Sequence, residues 1–273
     1  MKSLIVISDT HIGSNAGICP PGGYYLPDNN IYSQNKYQET TWRYWKDFWD
    51  KWIPSKIGKS KDVRIVMNGD IIDGYHHDTI NIMSTSLPYQ QFAAEDVFKN
   101  INHYDGLYIL KGTDAHAGKS GEYEEAIARN VGALKCDETS NNYTDYQLWL
   151  KIDKVTFNIA HHISTTSSAA YETSAGMREL VASLVEASQW GRALPNVIVR
   201  SHRHRFIPVS IPSLNGRIRC IITPGWQLRT PFVERIDRMR MPHIGGVIFK
   251  IEGDECQEIE KIYPLPMPKV IQI

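Results

Sequence analysis

Five short apolar runs between residues 4 and 204 each break off at side chains that bind protons or metals. Leu4-Ile5-Val6-Ile7 leads into Asp9 and His11. Val63-Arg64-Ile65-Val66-Met67 leads into Asp70. Leu107-Tyr108-Ile109-Leu110 leads into Thr113, Asp114 and His116. Residues 155–160 end at His161 and His162, and Val197-Ile198-Val199 leads into His202 and His204. The four continuous runs, of this length and β-branched character, read as buried strands, and the alternating residues 155–160 as one strand of a hairpin. In an open α/β sheet, ligands gather in the crevice beyond the carboxyl ends of the strands. One Asp-x-His triplet is noise, but five such strand ends in one chain constrain the fold to deliver them to a common place.

The residues between these runs fill in an α/β alternation. Asp9 and His11, and likewise His202 and His204, stand two apart, and in an extended chain positions i and i+2 point to the same side. A Gly/Pro/Tyr-rich stretch, residues 14–35, leaves directly from the first ligand strand and is expected to rim the site. From residue 36 to 53 the pattern turns helical. Trp42, Trp45, Trp49 and Trp52 fall on one helical face as a core stripe, and Pro54 is expected to end that helix. Further helices are expected over 90–101, with Phe92, Val97, Phe98 and Ile101 inward, and over 120–131, with acids in its first turn. Another is expected over 176–190, with Met177, Leu180, Val181, Leu184 and Ala187 on one face. Asp153-Lys154 reads as a hairpin turn. Strand-like runs over 218–222 and 246–251 close the fold.

The bulk numbers exclude several classes. With 273 residues the chain can bury a large core, and 42% apolar against 22% charged residues is an ordinary globular balance. Thirty basic and thirty acidic residues cancel, which argues against a polybasic footprint for long nucleic acid or for anionic membrane. Cys19, Cys136, Cys220 and Cys256 are scattered without a C-x-x-C pair, so reduced thiols and a cytoplasmic location are expected. No signal pattern or membrane-spanning run is read.

Mixed carboxylate and imidazole donors suit manganese best, with iron or zinc next, rather than calcium or magnesium. Their number exceeds what one ion needs. Two ions about 3.5–4 Å apart, bridged by a carboxylate, would use them, and such a pair activates water and clamps phosphoryl oxygens. Asp70, after a glycine at a strand end, offers that bridge.

The order Asp-x-His, Gly-Asp-x-x-Asp, Gly-x-x-x-His, His, x-His-x-His resembles the calcineurin-like metallophosphoesterase superfamily, over Asp9 to His204. The resemblance implies a four-layer α/β/β/α sandwich, here one domain over 1–273 with residues 14–58 as an elaboration near the site. It implies two divalent ions, one held by Asp9, His11, Asp70 and His204, the other by Asp70, His161 and His202. The family's third motif is Gly-Asn-His followed by an acid. Here it reads Gly112-Thr113-Asp114-Ala115-His116, which puts Thr113 or Asp114 forward as the remaining ligand and His116 as the acid for the leaving group. Asp73, His77, His162 and Arg203 are candidates for supporting the ligands or touching substrate. Arg200, Arg203, Arg205, Arg217, Arg219 and Arg229 are candidates to grip phosphate, and Tyr24, Tyr25 and Trp226 to stack on a base. The expected substrate is a phosphate ester, with nucleotides and nucleic acid in its range, with no membrane and no obligate protein partner. The contrasting expectation is a binding scaffold on the same fold that has lost catalysis.

Overall fold

The computed structural model describes residues 1–76, 80–164, 169–213, 216–236, 241–265 and 271–272. In chain order the elements are β1 (Lys2–Ile7), β2 (Tyr24–Tyr25), β3 (Ile31–Tyr32), α1 (Lys36–Asp47), α2 (Ile53–Ile57), β4 (Val63–Asn68), α3 (Leu87–Lys99), β5 (Gly106–Leu110), α4 (Asp114–Ala117), α5 (Glu122–Asn130), β6 (Thr144–Asp145), β7 (Gln147–Ile152), β8 (Val155–Ala160), α6 (Glu172–Trp190), β9 (Val197–Arg200), β10 (Ile207–Ser213), β11 (Gly216–Ile222), α7 (Pro231–Ile236), β12 (Ile244–Glu252) and β13 (Glu255–Tyr263). The class is mixed α/β, as expected. Two sheets carry it, with strand orders β13-β12-β1-β4-β5-β6 and β10-β11-β9-β8-β7.

The apolar runs are continuous because their strands are covered on both faces. Ile5, Ile7, Ile65, Met67, Leu107 and Ile109 face a cluster that includes Trp45 and Phe48 near the end of α1, Ala94 and Phe98 of α3, and Ile127 of α5. Leu4, Val6, Val66 and Leu110 point the other way, onto Leu148, Phe157, Ile159, Val197, Val199 and Ile221 of the second sheet. That sheet's other face, with Ile198, Ile207, Val209, Cys220 and Ile222, packs on Ala175 and Leu180 of α6. The strands β1, β4, β5 and β6 are mutually parallel, as are β8, β9 and β11. The carboxyl ends that carry the candidate ligands therefore lie along common edges of the sheets. Among the described residues no helix is long and apolar enough to cross a membrane.

Several local expectations are corrected. Pro54 does not end the first helical segment. A π-helical turn, Phe48–Trp52, closes with the Ile53 N–H on Phe48 O, and the helical backbone runs on into α2 with Pro54 as its second residue. Phe92 is exposed. In α6 the inward residues are Ala175, Gly176 and Leu180. Met177, Val181 and Leu184 stand exposed, because a Cβ on Gly176 would come within 2.9 Å of Val209 and the close approach selects that side. Residues 14–35 do more than rim the site: Ile18, Cys19 and Tyr24 are part of the first core cluster. The tryptophan stripe is core, as expected. Trp45 and Phe48 meet Trp226 edge-on at centroid distances of 4.9 and 5.3 Å. Trp226 is fully buried and Tyr24 nearly so, which leaves only Tyr25 of the expected stacking residues exposed.

Candidate metal centre

The candidate ligands do not converge by lying on extended chain. Asp9, His11, Asp70, His202 and His204 all have positive φ, between 42° and 70°. Each sits in the left-handed region that Asp and His tolerate better than bulkier residues. The first loop is held there by backbone bonds, from Asp9 N to Gly69 O (3.0 Å), His11 N to Asp70 O (3.2 Å) and Trp226 N to Asp9 O (2.9 Å). The buried Trp226 thereby pins Gly225 against Asp9, where an added Cβ would lie 3.0 Å from the aspartate Cβ. Beneath the loops a polar chain joins both sheets: Asn68 Nδ2 donates to Ser201 Oγ (2.6 Å), which pairs with Thr223 Oγ1 (2.7 Å), which pairs with Ser8 Oγ (2.9 Å).

This backbone brings the donors into adjoining groups. The ligand atoms of Asp9, His11 and His204 lie within 4.8 Å of one another, as do those of Asp70, His161 and His202. A third group, His11, Asp70 and His116, joins them. Within the groups, His204 Nε2 is 3.2 Å from Asp9 Oδ1 and 3.3 Å from His11 Nε2. His161 Nε2 is 3.0 Å from Asp70 Oδ2 and 3.9 Å from Asp9 Oδ1, and His202 Nδ1 is 3.9 Å from Asp70 Oδ2.

The donor set fits divalent cations. Among the described residues Asp9 Oδ1 and His161 Nε2 are buried and make no hydrogen bond of good geometry, a state that costs free energy unless something fills it. His161 donates from Nδ1 to Asn68 O (2.6 Å) and His11 from Nδ1 to Asp73 Oδ1 (3.0 Å). In a neutral ring the other nitrogen is then a lone pair. For His161 that lone pair faces two carboxylates; for His11 it faces another imidazole. Only a proton or a cation makes these approaches favourable. Histidines oriented by an acceptor on the far nitrogen are the usual arrangement around a metal.

The titration behaviour of the metal-free chain reflects the same crowding. Burial pushes the Asp9 carboxyl up, but His204 and His161 outweigh it and hold it below the usual carboxylate range. Asp70 is likewise held well below, by His161 and His202 against burial. For His161, burial is overcome by Asp70 and Asp9, which push it up to about 10. His11 is pushed down to about 4 by burial and by neighbouring His116.

The third motif departs from the ligand role. Thr113 turns inward, its N–H (2.7 Å) and its hydroxyl (3.1 Å) both donating to Asp70 Oδ1. Asp114 is exposed at the start of α4 and belongs to none of the ligand groups among the described residues. The single turn of α4 carries His116 back to the centre, edge-on to His11 at 4.5 Å, with its Nδ1 donating to Asp73 O. Asp73 is buried, and its Oδ1 also accepts from Gln227 Nε2 (3.0 Å). His162 is exposed, with its ring 5.5 Å from His202. Arg203 is half-buried and its guanidinium donates to Ser164 O (3.4 Å). His77 lies outside the described residues. Its neighbour His76 is the one packed edge-on against His116, at 4.5 Å.

The other arginines expected to grip phosphate are engaged elsewhere. Arg200 pairs with Glu179, Arg205 with Glu172, Arg219 with Glu258 and Arg229 with Glu234, and Arg217 donates to Ser210 Oγ. Glu124 escaped the sequence reading beyond its place among the first-turn acids of α5. It is fully buried and accepts from Ile71 N (3.3 Å) and Gly112 N (2.6 Å). Burial and the Asp70 charge push its carboxyl up to about 8.

No family model and no curated protein sequence matches the chain. Among solved structures it is similar to a point variant of Vps29 from Entamoeba histolytica, with 9% identity, TM-score 0.38, and 95% of this chain and 99% of that chain covered. It is similar to wild-type Vps29 complexed with zinc from the same organism, with 8% identity, TM-score 0.35, and 94% and 98% covered. It is also similar to a metallophosphoesterase from Sphaerobacter thermophilus, with 10% identity, TM-score 0.40, and 96% and 89% covered. At these identities and TM-scores the likenesses carry no weight for the site, which stands on its own geometry.

Proposed function

We propose that the chain is a calcineurin-like phosphoesterase, one domain over 1–273, that hydrolyses phosphate esters with two divalent ions, manganese foremost. What carries this reading is the pair of ligand groups joined through His11 and Asp70. Asp9, His11, Asp70 and His204 would hold one ion; Asp70, His161 and His202 would hold the other, with Asp70 shared. Ions held there would supply a hydroxide at neutral pH and would neutralise charge gathering on phosphoryl oxygens.

The protein's own groups do the rest. Asn68 O and Asp73 fix the tautomers of His161 and His11 so that Nε2 of each faces inward. Asp73 O holds His116 by Nδ1, which leaves Nε2 to deliver a proton to the departing oxygen. Arg203 and His162, flanking the histidine ligands in sequence, are the groups best placed to meet the remainder of a phosphodiester, nucleotides and nucleic acid included.

The test is metal-stripped protein incubated with bis-p-nitrophenyl phosphate and with p-nitrophenyl phosphate, before and after adding Mn²⁺. Metal-dependent release, with the diester preferred, is expected. One observation favours a second reading: the Thr113 hydroxyl is spent on Asp70. That fits a scaffold whose centre no longer turns over. No release from either ester, with the fold intact and metal bound, would establish that alternative.

A further inference from the structure

We infer that Glu124 is the positioning residue for the shared carboxylate of Asp70; this rests on the metal-centre reading above. Asp70 is a non-glycine residue at φ 54°, and something must hold it there. Its Oδ1 is fixed by the N–H and hydroxyl of Thr113. The N–H of Gly112, immediately before Thr113, goes to one oxygen of Glu124; the N–H of Ile71, immediately after Asp70, goes to the other. One carboxylate on α5 therefore spans the loop after β4 and the loop after β5, and sets the distance between them. The tolerance is small. A Cβ on Gly112 would stand 2.1 Å from Asp70 Oδ1 and 2.3 Å from Asp70 N.

The chemistry of the residue supports a role beyond packing. Glu124 is 0% exposed, and among the described residues its side chain is met by backbone N–H groups and forms no ion pair. A buried acid without a countercharge is costly, and an apolar residue of the same size would serve a core better. Two backbone N–H groups from separate loops need two acceptor oxygens. A carboxyl group, charged or neutral, offers two oxygens and an amide one. Removing one acceptor frees a loop that carries either Asp70 or its Thr113 donor, and the inward face of Asp70 is then no longer held toward His161 and His202.

The experiment compares metal affinity by calorimetry in the full chain, for wild type, Glu124→Gln, Asp70→Asn and the double variant, with circular dichroism and melting of each metal-free protein alongside. Glu124→Gln should lower the affinity for Mn²⁺ about tenfold to a hundredfold while the metal-free protein keeps its spectrum and melting point. In the Asp70→Asn background the same substitution should add no further loss, because the two residues act through one contact. Glu124→Asp, which keeps the carboxyl group but is one methylene too short to reach both loops, should fall between wild type and Glu124→Gln. The inference is overturned if wild type binds two ions and Glu124→Gln binds them equally well, or if the double variant loses affinity additively. It is also overturned if Glu124→Gln lowers only the melting point. Wild type that binds no ion at all would sink the metal centre instead.

Discussion

Loading the site must expel a proton from His161, and pH is the perturbation that exposes this. In the metal-free chain His161 donates from Nδ1 to Asn68 O and presents Nε2 to Asp70 and Asp9. Burial disfavours its charge, the two carboxylates more than restore it, and the group titrates at about 10. At pH 7 a proton therefore occupies the nitrogen that a cation needs. A group protonated about three pH units above the working pH opposes binding by about 4 kcal/mol, or roughly a thousandfold in affinity. The sign follows: between pH 6 and 8 apparent affinity should rise about tenfold per unit for this proton alone. His204, also raised, though burial opposes it, because Asp9 faces it, steepens the slope. His11, held down to about 4, is already neutral and adds nothing. Calorimetry of chelator-stripped protein with Mn²⁺, in buffers of different ionisation enthalpy at the same pH, counts the protons released. At least one per filled pair of sites is expected. Any water that ionised in the loaded site would add to the count and never subtract, so a count of zero with a flat affinity profile refutes the reasoning.

Asp70→Asn should abolish esterase activity and leave fewer than two ions per chain by elemental analysis; near-normal turnover would remove Asp70 from the bridging position. His116→Ala should lower kcat by about 10²–10⁴ with metal content unchanged. Loss of an ion instead would make His116 a ligand, as its grouping with His11 and Asp70 allows. Gly112→Ala should cost about 1–3 kcal/mol in urea unfolding through overpacking, and it should weaken metal binding, because its new methyl would collide with Asp70. Trp45→Ala should cost about 3–5 kcal/mol and also reduce metal affinity, since Trp45 supports Trp226 beside Gly225 and Asp9; unchanged affinity would show that the core and the first ligand loop are uncoupled.

What was legible in the chain was the part fixed by burial. Strands covered on both faces write themselves as near-continuous apolar runs, so β1, β4, β5 and β9 could be placed with the candidate ligands at their ends, and β8 by its alternation as one strand of a hairpin. Two edge strands could not. In β10 the prolines at 208 and 212 disguise a strand that needs only one partner, β11, and in β13 polar residues alternate with half-buried ones because one edge lacks a neighbour. Glu124 was hidden for another reason. Its role depends on where α5 sets down beside the strand ends, and no spacing within the chain records that.

The left-handed ligands tie these observations together. Extended chain would have let Asp9 and His11, or His202 and His204, share one side, but each pair would then have pointed along its own strand. A turn through positive φ instead lets side chains from both sheets meet over the gap between them. Such a backbone costs on the order of 1–2 kcal/mol at each non-glycine residue, and this centre has five of them. The cost is met locally by the bonds that hold each turn: Gly69 O and Asp70 O for the first loop, Thr113 for Asp70, Asp9 Oδ2 for His202 N (3.3 Å) and the His243 N–H on His204 O (2.7 Å). Nearly every one of those bonds comes from a different ligand loop or its immediate neighbour. The loops therefore order one another through bonds made within the protein. Metal affinity should consequently be far more sensitive to substitutions in these bonds than to equal losses of global stability elsewhere. Titrating metal against Leu180→Ala, which empties volume in the core under α6 well apart from the centre, tests this directly. A stability loss of about 2–5 kcal/mol with affinity preserved in the folded protein is the expected result, and a parallel fall in affinity would show that the site depends on the whole fold and not on its own hydrogen bonds.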